Sequence, residues 1–407
     1  SKAAVSDLGD VYVLDDSTRE DIRKELDHYA DELGFKVFRR GSRRGYKAGA
    51  VNDWLKVYGG SYDYVVIMDA DQRLIPGFLE HVMHFFNDPS VAFVQIPQYY
   101  SRLDTTIALS AWIQQVPFLR VIMRGRQLRN SAFSLGSGTI YRVKHLLLIG
   151  GLYERSVTED IYTSVMLHEK GFKSIYVDMP LVWSGEAPRD LPSYITQQSR
   201  WSLGTFQLIR KLLNAKLNIS QLLDYINGVY YWLFVSVLTI AGILAPSLFL
   251  MFKVFFLRIN PLLYLITYIP VFLASLMFYL AIMSRYRYGL GEFMYHQGIQ
   301  LIASLPVTIA FIWWILRRRK GFKVTPKGVG VTHFTIFHLY YLAIIIALTA
   351  SIIIGILNAI HLSGNLLYAY VINLLWASWW LIMSLFGLYV SLALPVSEDI
   401  TKKVSQS

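Results

Sequence analysis

Two carboxylates one residue apart close a short apolar run: Tyr64-Val-Val-Ile-Met68 is followed at once by Asp69-Ala-Asp71. Such a run reads as a buried strand, so both acids are delivered to its carboxyl end. Hard oxygen donors placed there can hold Mg2+ or Mn2+ against a diphosphate, and burying carboxylates without a cation is costly. Asp-x-Asp is also common in ordinary loops; its position after a strand carries the reading. Asp15-Asp16 ends the apolar run Val11-Tyr-Val-Leu14 in the same manner. Thr158-Glu159-Asp160 opens a helix that runs through Leu167 to a stop at Gly171. Thr158 suits the N-cap and the two acids suit the helix dipole. An Asp beside a metal-bound donor is also placed to take a proton from an attacking hydroxyl, and both readings hold together. Gln197-Gln-Ser-Arg200-Trp201 lies on an amphipathic segment, Ser193 to Leu213. It is either an interfacial helix with a snorkelling Arg and a belt Trp, or an Arg for bidentate pairing with a diphosphate and a Trp face for a sugar ring.

The elements that must position these residues alternate between strand and helix, which predicts an α/β sheet with its chemistry at strand carboxyl ends. A strand at 11–14 leads to a helix from Thr18 to about Leu33, then a strand at 36–38. The basic turn Arg39-Arg-Gly-Ser-Arg-Arg-Gly-Tyr-Lys47 follows, read as a nucleotide or membrane-surface contact or as a solvated loop. A helix near Ala48–Val57 precedes the strand at 64–68, so two strands are expected to deliver carboxylates to one edge.

Charge separates this half from the rest. The chain has 407 residues, 54% of them hydrophobic, and a net charge of +11. Residues 1–216 hold 27 basic and 24 acidic side chains, a net +3, while 217–407 hold 12 and 4, a net +8. Disorder, a coiled coil and a disulfide scaffold are excluded by this composition, and zero cysteines exclude thiolate chemistry. A soluble half at +3 is too evenly charged for a phosphate-tracking surface, so no nucleic-acid partner is expected.

Charge-free runs at 225–252, 259–284, 293–316 and 328–397 each exceed the roughly 20 residues that cross a bilayer. The polar stretch Asn358–Asn365 splits the last run, giving five apolar segments. If all five crossed, the Arg285/Arg287 loop and the Arg317–Lys320 cluster would fall on opposite faces, against the preference for cytoplasmic Lys and Arg. Four spans (225–252, 259–284, 334–357 and 366–394) with 293–316 at the interface put both clusters on one side. The expected division is therefore a cytoplasmic domain 1–216, a transmembrane domain 217–394 and a cytoplasmic tail 395–407.

Taken in order, these residues resemble the processive, inverting family 2 glycosyltransferases of the cellulose synthase type. The resemblance spans nearly the whole chain and rests on an ordered set: Asp15-Asp16, Lys47-Ala-Gly49 with Asn52, Asp69-Ala-Asp71, Gln95-Ile-Pro-Gln98, Phe133 to Arg142, Thr158-Glu-Asp160, Gln197-Gln-Ser-Arg-Trp201 and Phe322-Lys-Val-Thr-Pro-Lys327. It implies a GT-A type α/β domain with a Rossmann-like mixed sheet, fused to a helical transmembrane channel. Asp15 and Asp16 would sit by the uridine and Lys47 near the nucleotide. Asp69 and Asp71 would face the donor, with Asp71 the foremost ligand of Mg2+ or Mn2+. Asp160 would be the general base, with Glu159 beside it. Arg200 and Gln197 would hold the departing UDP. Trp201, Gln98, Leu135, Gly136 and Ser137 would line the acceptor site. A gating loop at 317–332 would cover the donor through Phe322, Val324 and Thr325.

The implied activity is polymerisation of a β-linked polysaccharide from a UDP-sugar, UDP-glucose foremost, with the growing chain as acceptor and the lipid bilayer as its exit route. An accessory export subunit or a homo-oligomer is an implied partner. Departures from the family pattern fall at Ser134-Leu135, at Ala50 and at Gly45. The family places membrane helices and a nucleotide-binding strand before Val11, so that part is expected ahead of residue 1. With 13 residues after Leu394, no cyclic-di-GMP-binding PilZ domain is expected at this end. A hyaluronan-, chitin- or mannan-type synthase shares most of these motifs. A non-processive polyprenyl-phosphate transferase would lack the Gln-x-x-Arg-Trp set and the gating loop. A scaffold with a dead transferase domain would lack one of Asp69, Asp71 and Asp160.

Overall fold

The computed structural model describes residues 9–184, 186–256, 258–317 and 335–397. In chain order they form β1 (Tyr12–Asp15), α1 (Glu20–Leu33), β2 (Lys36–Arg39), α2 (Tyr46–Tyr58), β3 (Tyr64–Ile67), β4 (Gln72–Leu74), α3 (Phe78–Val82), β5 (Val91–Gln95) and β6 (Gln98–Tyr100). These are followed by α4 (Thr106–Val116), α5 (Met123–Leu128), β7 (Thr139–Arg142), α6 (Val143–Leu148), α7 (Glu159–Glu169), β8 (Lys173–Tyr176), β9 (Val182–Ser184) and α8 (Leu191–Leu212). The remainder is helical: α9 (Ile219–Leu233), α10 (Thr239–Phe252), α11 (Pro261–Met283), α12 (Leu290–Ile315), α13 (Ile336–Ala359) and α14 (Gly364–Ser391).

The chain divides into two compact units, one of residues 1–101, 118–185 and 204–228, the other of 102–117, 186–203 and 229–407. The expected boundary at 216 thus differs from the observed division: two segments of the charged half, 102–117 and 186–203, belong to the helical unit.

The first unit is built on a mixed four-stranded sheet of order β3-β7-β5-β8, in which β7 runs antiparallel to both neighbours and β5 pairs parallel with β8. Side chains alternate across it as a pleated strand requires. Val65, Ile67, Phe93 and Tyr141 face a core with Val51, Trp54, Leu55, Leu146 and Leu167 from α2, α6 and α7. Val66, Val94 and Ile140 face the opposite core, with Phe78, Leu79 and Val82 of α3. Both faces being covered, these strands read as apolar runs instead of alternating ones.

The carboxylate-bearing strands β1 and β3 are not members of one sheet. Among the described residues strand β1 pairs only with β2, in parallel, as a separate two-stranded sheet, although Tyr12 and Leu14 pack against the same core as Val65. A third small sheet, β4-β9-β6, completes the unit.

In the second unit α4 lies against the long helices, where Thr106 Oγ1 donates to the Val390 carbonyl at 2.9 Å. On α8 the Tyr194 hydroxyl donates to Gln114 Oε1 at 2.8 Å and to the Ile299 carbonyl at 3.2 Å. Glycines bring the helices close. A Cβ at Gly298 would stand 3.3 Å from the Gly387 nitrogen, and one at Gly387 would stand 3.2 Å from the Gly298 carbonyl oxygen, the small-residue contact usual between helices in lipid. Helix α11 keeps Leu262, Ile266, Val271, Met277 and Phe278 exposed, an apolar face with no place in water.

Among the described residues six helices are long and apolar enough to cross a membrane: 106–128, 219–252, 261–286, 290–315, 336–359 and 364–391. Five correspond to the segments expected from charge-free runs. The sixth, 106–128, escaped that reading because Arg120, Arg124 and Arg126 interrupt it; two-thirds of its most apolar window is buried inside the protein.

Candidate functional site

Strand register assembles the site. Thr139 at the start of β7 pairs with Ile67 at the end of β3, and also with Gln95 at the end of β5. The turn that feeds β7, residues 134–138, is thereby laid beside Asp69. The Gly138 N–H donates to the Ile67 carbonyl at 2.9 Å, and the Asp69 N–H donates to Ser137 Oγ at 2.8 Å. Ser137 Oγ in turn donates to Gln72 Oε1.

Buried polar groups fix that turn from within. Gln95, fully buried, takes the Leu135 N–H (2.7 Å) and the Thr139 hydroxyl (2.6 Å) on its Oε1. Its Nε2 donates to the carbonyls of Ile96 (2.6 Å) and Ser137 (2.9 Å). Gln95 appeared in sequence only as part of a motif with no role of its own. A glutamine closing an otherwise apolar strand, Val91-Ala-Phe-Val-Gln95, was the available signal, because a buried amide must be satisfied locally.

The turn ends on the base candidate. Gly136 has φ of +81°, and a Cβ there would stand 2.9 Å from Asp160 Oδ2. Glycine is thus required twice, by the left-handed backbone and by the close approach of the carboxylate. Asp160 stands in the first turn of α7, where its Oδ1 accepts the Ile161 N–H at 2.8 Å. Its carbonyl accepts Ser164 Oγ at 2.8 Å, and Ser164 Oγ accepts the Ser134 N–H at 2.9 Å, tying α7 to the turn. Thr158 holds the N-cap position as expected, but its side chain makes no capping bond; Gly204 of α8 stands against that side chain instead.

Lys47 joins the two carboxylate regions. Carried on the first turn of α2, its Nζ donates to Asp69 Oδ1 and to the Gly136 carbonyl, both at 2.6 Å. Asp69, Lys47, Gly136, Ser137, Leu135 and Asp160 are therefore one assembly, with Asp71 two residues past Asp69 in the same turn. Glu159 is partly exposed beside Asp160.

Asp15 and Asp16 are engaged by the basic turn that sequence left between two readings. Asp15 accepts Arg39 Nε at 2.7 Å and the Ser17 N–H at 2.8 Å; burial acts against ionisation, yet these donors hold its carboxyl below the usual aspartate range. Arg40 grips Asp16 with two bonds, at 2.8 and 2.6 Å, and donates to the carbonyls of Arg44 and Tyr46. The turn leading to Lys47 is therefore anchored on the acidic pair, and on Glu154 through Arg44.

Gln98 lies in β6 of the third sheet, opposite Val182 of β9. Gln197, Arg200 and Trp201 lie on the part of α8 that belongs to the helical unit, and Gln197 Oε1 is a buried acceptor without a hydrogen-bond partner there. Such an orphan is costly unless a ligand satisfies it. Phe322, Val324 and Thr325 lie outside the described residues.

Asp69 and Asp71 fit a divalent cation of one kind. Among the described residues no group of three or more acidic, histidine or cysteine side chains could enclose a metal. Mg2+ and its analogues, however, are commonly held by one or two carboxylates with substrate phosphates completing the shell. A pair of carboxylates on a partly exposed turn suits a cation that is shared with a diphosphate.

The chain is similar to known proteins over much of its length. Residues 11–204 match the family described as glycosyltransferase like family 2. A cellulose synthase catalytic subunit (UDP-forming) of Pseudomonas fluorescens strain SBW25 is 28% identical over 327 residues, 78% of this chain and 43% of that one. The cellulose synthase 1 catalytic subunit of Komagataeibacter xylinus is 28% identical over 388 residues, 91% of this chain and 50% of that one. The chain thus spans half or less of the length of these relatives. Among solved structures, a mannosyltransferase from Pyrobaculum calidifontis in complex with GDP-Man and Mn2+ superposes with a TM-score of 0.51 at 15% identity, over 76% of this chain and 79% of that one. That likeness bears on the fold alone, which is of the GT-A type. The similarity to glycosyltransferase like family 2 is confined to residues 11–204, a little under half of the chain.

Proposed function

We propose that the chain is a processive inverting glycosyltransferase that extends a β-linked polysaccharide from a UDP-sugar and passes the product through its membrane helices. The observation that carries this reading is the placement of Asp160 Oδ2 against Gly136, whose carbonyl and Asp69 share the Lys47 ammonium. One proton acceptor and one donor-side cluster, joined by a single turn, suit a one-step displacement, which needs no covalent enzyme intermediate. Asp160 takes the proton from the acceptor hydroxyl as the hydroxyl attacks the anomeric carbon. Gly136 lets the acceptor approach that carboxylate. Lys47 holds positive charge beside the donor diphosphate, and Asp69 and Asp71 hold the cation. When bound, Mg2+ or Mn2+ supplies Lewis-acid stabilisation of the charge gathering on the nucleotide. The resemblance adds Arg200 and Gln197 on the leaving UDP, Trp201 under the acceptor sugar, Gln98 and Leu135 at the acceptor, and Phe322, Val324 and Thr325 as the donor cover; Asp15 and Asp16 mark the uridine end.

UDP-glucose and a β-1,4-glucan are the favoured donor and product, supported by the UDP-forming cellulose synthases among the relatives. The membrane helices support a multi-pass protein of the cell membrane with its catalytic unit in the cytoplasm. Incubation of the purified protein with a panel of UDP- and GDP-hexoses and Mn2+, followed by digestion with linkage-specific glycosidases, tests this. A long β-1,4-glucan made from UDP-glucose is expected; products no longer than a disaccharide from every donor would end the processive reading.

A further inference from the structure

The Lys47 ammonium stands where a cation ligand is expected to be available. It makes a 2.6 Å contact with Asp69 Oδ1 while its other bond holds the Gly136 carbonyl, also at 2.6 Å. A divalent ion approaching Asp69 Oδ1 must displace that ammonium, and one approaching Oδ2 meets its like charge at close range, where Coulomb repulsion is substantial even at high effective dielectric. The contact is partly open to solvent, with the lysine side chain 32% and the aspartate side chain 46% exposed. Pairs of this kind are weak and exchangeable. A diphosphate alters the balance by offering the ammonium an anionic partner of its own.

We propose that Lys47 is a resident counter-ion of Asp69 that closes the cation site to free metal and releases it when a nucleoside diphosphate gives the ammonium another partner. The cation then enters only with, or after, the nucleotide. The inference rests on the reading of Asp69 and Asp71 as cation ligands.

Mn2+ binding to the full-length chain in detergent, followed by the loss of the free-ion paramagnetic resonance signal with and without UDP, tests it without reference to turnover. The unsubstituted protein is expected to bind Mn2+ at least tenfold more tightly in saturating UDP than alone. Lys47→Met should raise the affinity for free Mn2+ about tenfold and shrink the effect of UDP, while Lys47→Arg, which keeps the charge, should behave as the unsubstituted protein. Asp69 is exposed, so neither change strands a buried charge, and thermal unfolding should be unaltered. Unchanged or weaker affinity of Lys47→Met for free Mn2+, with UDP still promoting binding, would overturn the role of the lysine and leave the cation site standing. Absence of Mn2+ binding to the unsubstituted protein even with UDP, or binding that survives Asp69→Asn combined with Asp71→Asn, would overturn the cation reading and this inference together.

Discussion

Asp160 depends on a residue that has no side chain. Gly136 supplies both a left-handed turn and the clearance in which the carboxylate sits, so its replacement tests the site without touching an ionisable group. Gly136→Ala is expected to destabilise the first unit by about 1 kcal/mol through backbone strain and to lower turnover by tenfold or more, because the added methyl takes the place of the approaching hydroxyl. Thermal unfolding together with initial rates checks this, and wild-type turnover would contradict it. At this scale the sequence was most informative about acids. Asp15, Asp16, Asp69, Asp71 and Asp160 stand out because carboxylates closing apolar strands or opening a helix have few structural reasons to be there. Their partners were harder to see. Nothing in the spacing of Arg39, Arg40 and Lys47 said which acid each would meet, since parallel pairing of β1 with β2 and the approach of α2 to the end of β3 decide that.

Helix α8 matters as an element because it passes from one unit into the other at Gly204. A side chain there would overlap Thr158, the residue before Glu159 and Asp160. Gly204→Leu is expected to force α8 away from the start of α7, costing about 1–3 kcal/mol as overpacking does, with lost transfer activity but an undiminished helix content by circular dichroism. The elements from β1 to β3, together with α7 and α8, were legible to within about two residues, because apolar runs bounded by charge admit few alternatives, whereas the elements from β4 to α6 and the strands β8 and β9 were not read from sequence. Sheet membership was not. β7 inserts antiparallel between β3 and β5 through contacts far apart in sequence, and the run Ser134–Ser137 offers no periodicity that reveals it. Gln95 illustrates the same limit: its importance comes from the turn it meets, forty residues later in the chain.

At the scale of the molecule, charge distribution anticipated five of the six long apolar helices among the described residues, while 106–128 was concealed by its arginines. Four spans with 290–315 at the interface remain the proposed topology. The absence of cysteine makes it directly measurable: Arg287→Cys and His361→Cys, each alone, should react with a membrane-impermeant maleimide from opposite faces, Arg287 from the cytoplasmic one. Labelling of both from one face would overturn the arrangement.

Acid stability is a second property of the fold. His168, buried between the Tyr225 hydroxyl at 2.9 Å and Ser174 Oγ at 3.0 Å, is pushed down to about 3 by loss of solvation. The unfolded chain takes up this proton near pH 6.5 while the folded one stays neutral. The first unit should therefore lose on the order of a few kcal/mol as pH falls from 6.5 towards 3. His168→Gln should flatten that dependence in denaturant titrations, and an unchanged slope would contradict it.

The catalytic reading itself rests on Asp160 as the base, and the rate of sugar transfer by Asp160→Asn at saturating UDP-glucose addresses it most directly. The amide is close in size, so the turn and the nucleotide site should persist. A fall of about a thousandfold is expected, within the range that a positioned base contributes. Transfer within tenfold of the unsubstituted rate would contradict the assignment.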